Sequence, residues 1–197
     1  MVSCKKLAAA LFILCSGAAV SAELVGVEGT GTQYATPIPA KVAGKDVTLR
    51  LTGTALRTKF LFHVYTIGSY VQDGVAVRSA EELVAADCAK RLHLVMERDV
   101  NGKDLAEAFR TAIRANYPAP AFEDQLNRLA EFMQPLTAEK GVHIWLTHVP
   151  GAGLHCLVVG KTEITLPNVA FSRAVWEIYL GKNNLGEDIK KGLTSRL

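Results

Sequence analysis

The chain has 197 residues, 49% hydrophobic and 21% charged, with a formal net charge of +3. That balance is globular and excludes intrinsic disorder, and the length holds one domain with a sizeable core, or at most two small ones. The small excess of positive charge does not mark a nucleic-acid surface, because two of the lysines sit in a leader.

Residues 1–22 read as a secretory signal peptide. Lys5 and Lys6 form its positive start, Leu7 to Cys15 its apolar centre, and Val20-Ser21-Ala22 a small-residue cleavage site before Glu23. The apolar run is shorter than the roughly 20 residues of a membrane span. Leu14, just before Cys15, is bulky where a lipoprotein signal has a small residue. Cleavage near Ala22 leaves 20 basic against 19 acidic residues, with no basic face for nucleic acid. No later stretch reaches the length of an apolar span, so residues 23–197 are expected to be exported, not membrane-spanning, and a single domain. Cys4 and Cys15 leave with the leader. Cys88 and Cys156 remain, both in predicted strands, where an oxidising compartment permits a disulfide and two buried thiols are the alternative.

Glu23 to Pro39 is a Gly- and Thr-rich lead-in with at most one short strand. Gly44-Lys45-Asp46 marks a hairpin between two apolar runs. Strands follow over Val47–Leu56, where Val47, Leu49 and Leu51 alternate with Thr48, Arg50 and Thr52, and over Phe60–Val71. Ser79 and Glu82 form a capping box at the start of a short helix ending near Ala86. The next strand sets Leu92, Leu94 and Met96 on one face and Arg91, His93 and Val95 on the other. Leu105, Phe109, Ala112 and Ile113 recur at helical spacing behind a cap at Asn101, with Pro118 beyond. A second helix carries Phe122, Leu126, Leu129 and Met133. Residues 141–166 then form two or three antiparallel strands, with Pro150–Gly153 at a turn. A helix over Asn168–Leu180 directs Ala170, Ala174, Trp176 and Leu180 inward and stops at Gly181, and a last short helix starts near Gly186. This order predicts an α+β fold.

Arg57 and Tyr65 are the candidate site. In one straight strand they would stand about 27 Å apart at about 3.3 Å per residue. They share a site only if the chain reverses or bulges around Thr58 to Phe60, and Gly53 offers the first strand a place to bend. A guanidinium in an apolar cleft costs several kcal/mol, on the order of what an anion or paired acceptors must offset. A planar fork and a phenol are suitable donors for a carboxylate. The alternative is an arginine reaching solvent from a sheet edge. His148 would face His155 across the Pro150–Gly153 turn if Val149 pairs with Leu154, but no Cys, Asp or Glu at ligand spacing joins them, so no metal is expected. The chain has no Gly-x-Ser-x-Gly elbow, Cys-x-x-Cys pair, His-Glu-x-x-His helix or phosphate-binding glycine loop, and no cofactor is expected. The carboxylates Glu81, Glu82, Glu97, Asp99, Glu123 and Asp124 fit solvated structural roles.

Three blocks carry a resemblance: "LRTKFLFHVYTIGSYV", "RDVNGKDLAEAFRTAI" and "FSRAVWEIYLGKNNLGEDIKKGLTSRL". In this order they resemble the chalcone isomerase-like superfamily, and among its members the bacterial, exported ones. The resemblance implies an open-faced β-sandwich: a large antiparallel sheet with helices packed on one face and a ligand cleft between the layers. It puts Arg57 at the family's anion-binding arginine. Tyr65 falls where the plant enzymes have a threonine and resembles the tyrosine of the fatty-acid-binding members. The enzymes' remaining polar groups fall at Leu105, Ala112 and Ile178, which have no side-chain donor. Lys59 and His63 take no role from the family and read as edge charges.

The expectation is therefore a non-catalytic periplasmic binding protein, with Arg57 and Tyr65 holding the carboxylate of a fatty acid or similar amphiphile in a mostly apolar cleft. One alternative is an intramolecular lyase of chalcone isomerase type, with Arg57 stabilising an oxyanion. Another is an envelope interaction module with a vestigial cleft.

Overall fold

The computed structural model describes residues 22–197, so the signal-peptide reading of the leader falls, but for Ala22, outside the described residues. Two short strands come first, β1 (Glu23–Gly26) and β2 (Gln33–Thr36), followed by β3 (Ile38–Val42), β4 (Lys45–Lys59) and β5 (Phe62–Gln72). Next are α1 (Ala80–Ala85), β6 (Lys90–Met96), β7 (Val100–Asn101), α2 (Gly102–Arg114), α3 (Glu123–Met133) and β8 (Thr137–Ala138). The chain ends with β9 (His143–Val149), β10 (Gly153–Val158), β11 (Thr162–Pro167), α4 (Val169–Leu180) and α5 (Glu187–Leu193).

The main sheet has seven antiparallel strands in the order β11-β10-β9-β6-β5-β4-β3. Helices pack on one face, over Ile67, Leu92, Leu94, Ile144, Leu146, Leu154 and Cys156. The lead-in, expected to hold at most one strand, instead forms the β1–β2 ribbon on the other face. Tyr34 anchors it: its ring lies where a Cβ on Gly68 would fall 2.7 Å away, and its hydroxyl is 2.9 Å from that of Thr66. The glycines of the lead-in hide this ribbon from a reading by strand propensity.

Alternation along β4 changes phase at a bulge. Leu49 pairs with Gln72 and Leu51 with Tyr70, but the next pairing is Gly53 with Ser69. The extra residue, Thr52, moves the following side chains to the other face. Leu49 and Leu51 thus pack beside Tyr34, whereas Ala55 joins the helix-side core. Helix α5 seats directly on the bulge: a Cβ at Gly53 would stand 2.0 Å from the Gly192 carbonyl oxygen. Thr52 closes the junction, its Oγ1 donating to the Leu193 carbonyl at 2.9 Å.

The caps expected from sequence form. Ser79 accepts from the Glu82 amide and Asn101 from that of Asp104, and Asn168, expected only as the first residue of its helix, also caps it by accepting from the Phe171 amide. Leu105, Phe109 and Ile113 of α2 and Leu126, Leu129 and Met133 of α3 face the core. Arg110 and Arg114 of α2 both pair with Glu123 at the start of α3. Helix α4 departs from its expected stripe. Ala170 is exposed, while Phe171, Ser172 and most residues from Ala174 to Leu180 are buried. This helix packs against the sheet, α1 and α2 together, and a helix covered on several sides has no single apolar stripe.

Candidate ligand-binding site

The β4–β5 hairpin turns at Phe60–Leu61, where both residues have positive φ. Lys59 pairs with Phe62 and Thr58 with His63, and after a second register shift Arg57 pairs with Tyr65. Two residues eight apart in sequence thus stand side by side, the Cβ atoms of such cross-strand partners being about 5 Å apart. The chain reversal that a shared site required is present.

Tyr65 is buried in the helix-side core, and its hydroxyl lies 3.2 Å from that of Tyr179 on α4. Arg57 is half-buried, with Nη1 donating to the Thr58 carbonyl at 3.0 Å. Burial raises the pKa of Tyr65, with smaller lowering effects from the Tyr179 hydrogen bond and the Arg57 charge. Burial likewise holds Tyr179 well above the ordinary phenol range, again against a lowering effect of Arg57. Both phenols are therefore neutral donors at physiological pH. Two hydroxyls sharing one hydrogen bond commit only one proton between them. The second proton, with the guanidinium fork, is chemically suited to an anionic oxygen arriving beside Arg57.

Tyr179 was not among the residues expected here. The resemblance directed attention to its neighbour Ile178, and an aromatic residue on a helix buried nearly all round carries no sequence signal separating a polar role from packing. Leu105 and Ile178 are buried in the core and Ala112 packs at its edge, none with a side-chain donor. Lys59 and His63 are exposed beside the turn, as expected of edge charges.

Two surface grooves, of about 450 and 470 Å³, lie elsewhere, one beside Asp46 on β4 and one beside Arg91 and Trp145. Neither includes Arg57, Tyr65 or Tyr179. In the second, the Arg91 guanidinium stacks 4.4 Å over the Trp145 ring and its Nε donates to Thr147.

The expected pairing of His148 with His155 does not occur. Gly153 pairs with Val149, so His148 lies opposite Leu154 and His155 opposite Thr147. Because Gly153 joins the ladder, the turn is one residue shorter than expected, and a one-residue slip puts the two imidazoles on opposite faces. His148 is buried between the Ser172 hydroxyl and the Asp87 carboxylate, each at 2.8 Å, while the half-buried His155 meets Glu163. Asp87, His148 and Ser172 have the composition of a hydrolytic triad, but the Ser172 side chain is fully buried and no substrate carbonyl reaches its Oγ. Among the described residues, no three His, Cys, Asp or Glu side chains converge as a metal site. Cys88 lies in the loop after α1 rather than in a strand, Cys156 is in β10, and both thiols are free. No described helix is long and apolar enough to cross a membrane.

Residues 31–194 match the family described as chalcone isomerase-like. A search of curated proteins finds no match. Among solved structures, the chain is similar to the Arabidopsis thaliana fatty-acid binding protein AtFAP1, with 19% sequence identity and a TM-score of 0.67 over 87% of this chain and 96% of that one. At that identity the likeness shows the fold: the seven-stranded antiparallel sheet with its helices.

Proposed function

The chain belongs to the chalcone isomerase-like family, and from that premise we propose that it is an exported, periplasmic, non-catalytic protein that binds a fatty acid or similar carboxylate amphiphile. Arg57 grips the carboxylate and the Tyr65–Tyr179 pair donates a further hydrogen bond. The observation that carries this reading is the direct opposition of Arg57 and Tyr65 on adjacent strands, with Tyr179 behind them. The structural likeness to a protein described as fatty-acid binding supports the ligand class. Leu105, Ala112 and Ile178 offer no donor where the resemblance places those of the lyases, which favours holding a ligand over turning one over. Tyr65 and Tyr179 are both buried, so an acyl chain reaches them only when the helix layer yields from the sheet.

Organic extraction of the purified protein followed by mass spectrometry tests the reading. Bound acyl chains are expected in the wild type and lost in Arg57→Ala. Equal content in the two proteins removes Arg57 as the anchor. Sequencing the N-terminus of protein recovered from the periplasmic fraction checks export. A start at Glu23 is expected, and retention of Lys5 and Lys6 in a cytoplasmic product overturns that part.

A further inference from the structure

The tip of the β4–β5 hairpin is unlike the rest of the surface. Phe60, Leu61 and Phe62 are consecutive and 83%, 94% and 64% exposed. Single exposed apolar residues are ordinary, but three adjacent large ones on a projecting turn form one apolar knob. The turn residues Phe60 and Leu61 have φ of 49° and 68°. Two-residue hairpin turns with positive φ at both positions favour Asn and Gly, so local backbone preference does not explain Phe and Leu here. Core packing does not explain them either, since all three are mostly exposed.

Basic side chains flank the knob. Lys59 and His63 are exposed beside it and Arg57 follows, with the Lys59 Nζ lying 5.6 Å from the centre of the Phe60 ring. No Asp or Glu occurs between Val47 and Gln72. Acidic residues on neighbouring segments are Glu97, after strand β6, whose carboxylate accepts a hydrogen bond from Thr32 at 2.9 Å, and Glu28, next to Gly29, where an added Cβ would stand 3.9 Å from the His63 ring. An apolar point flanked by the Lys59 and Arg57 cations is complementary to an anionic lipid interface, which offers hydrocarbon to the former and phosphates to the latter. A convex tip of three side chains is too small for a stable protein interface, which takes roughly 800 Å² on each partner.

We propose that the Phe60–Leu61–Phe62 tip docks this protein on the surface of an anionic phospholipid bilayer. Side chains at such sites enter the interface by about 5–10 Å. Two residue pairs, Lys59 with Phe62 and Thr58 with His63, separate the turn from Arg57 and Tyr65, so Phe60 and Arg57 are three residues and about 10 Å apart along the strand. Immersion of the tip therefore brings Arg57 to headgroup depth, where the carboxylate of a membrane-dissolved fatty acid resides. Acquisition of ligand at that depth rests on the ligand-binding reading above; docking itself does not.

Co-sedimentation with phosphatidylethanolamine–phosphatidylglycerol vesicles, against phosphatidylcholine vesicles, tests docking. Wild type, the triple variant F60S/L61S/F62S and Lys59→Glu all share one N-terminus, so any contribution of the leader cancels. Wild type is expected to partition onto the anionic vesicles. The triple variant should bind at least about tenfold more weakly, from the apolar area withdrawn. Lys59→Glu should lose on the order of tenfold, in proportion to the charge reversed. All three should melt at the same temperature, because the substituted side chains are exposed. Failure of wild type to bind anionic vesicles, or equal binding by the triple variant, overturns the proposal. Self-association of wild type without vesicle binding, abolished in the triple variant, assigns the tip to a protein contact and overturns it as well. Tyr65→Phe separates the two readings: docking should survive in it while acyl content falls. Docking without acyl chains in any variant or in wild type would sink the ligand reading alone.

Discussion

The hydroxyls of Tyr65 and Tyr179 lie 3.2 Å apart, joining β5 to α4 inside the core. Removing one leaves the other buried without its partner, at a cost of about 1–2 kcal/mol. Tyr179→Phe and Tyr65→Phe should each lower the unfolding free energy by that amount and weaken acyl-chain binding. The double variant should cost less than the sum of the two, since the second substitution removes the orphaned group. Denaturant melts of the four proteins check this, and strict additivity would show that the two hydroxyls do not act as a pair.

Two histidines set the acid sensitivity. His93 Nε2 lies 2.7 Å from His143 Nδ1. Burial first, then the charges of His143 and Arg91, push its pKa down to about 3. Burial also lowers that of His148, with Asp87 acting in the opposite sense. In the unfolded chain both titrate near about 6.5. Below that value the unfolded state binds more protons than the folded one, so stability is complete above it and is lost as pH falls toward the folded values. The melting temperature should hold near neutral pH and drop steadily between about pH 6.5 and about pH 4. His93→Asn should flatten that slope. A wild-type melting temperature unchanged over the same range would contradict the assignment.

Gly53 is the tightest contact between sheet and C-terminal helix. Its φ is 153°, and an added Cβ would meet the Gly192 carbonyl oxygen at 2.0 Å and Leu193 backbone atoms within 3 Å. Backbone cannot swing aside as a side-chain tip can. Gly53→Ala is therefore expected to destabilise by about 3 kcal/mol or more, at the upper end of overpacking costs. Calorimetry reads the change directly, and a loss below about 1 kcal/mol would mean that α5 is free to slide off the bulge.

Lys90 is fully buried in β6. Its Nζ donates to the carbonyls of Leu83 and Val84 at 2.8 and 2.7 Å and lies 5.2 Å from the Trp176 ring. Those contacts cap the end of α1 and partly offset desolvation, which still lowers the pKa to about 8. Lys90→Ala leaves both a cavity and two uncapped carbonyls, and should cost roughly 3 kcal/mol. Lys90→Met refills the volume and should cost less. Equal losses in the two variants would place the whole effect on the hydrogen bonds.

Much of the fold is legible in residue order because it depends on local chemistry. Period-two alternation marks β6, the Ser79 and Asn101 caps start their helices, and Gly44 lies in the turn between β3 and β4. Arg57 and Tyr65 were also visible as residue types, a fork and a phenol in one apolar stretch. Tertiary structure alone decided how they meet. The turn at Phe60–Leu61 and the shift after Arg57 set them opposite each other, and only the packing of α4 on the sheet brings Tyr179 to Tyr65. Register explains the histidines in the same way, since one residue more or less in the Pro150 turn decides whether His148 and His155 share a face. Local signals specify which conformation a segment adopts. Which side chains become neighbours depends on register and on layer packing, and a shift of one residue is enough to change them.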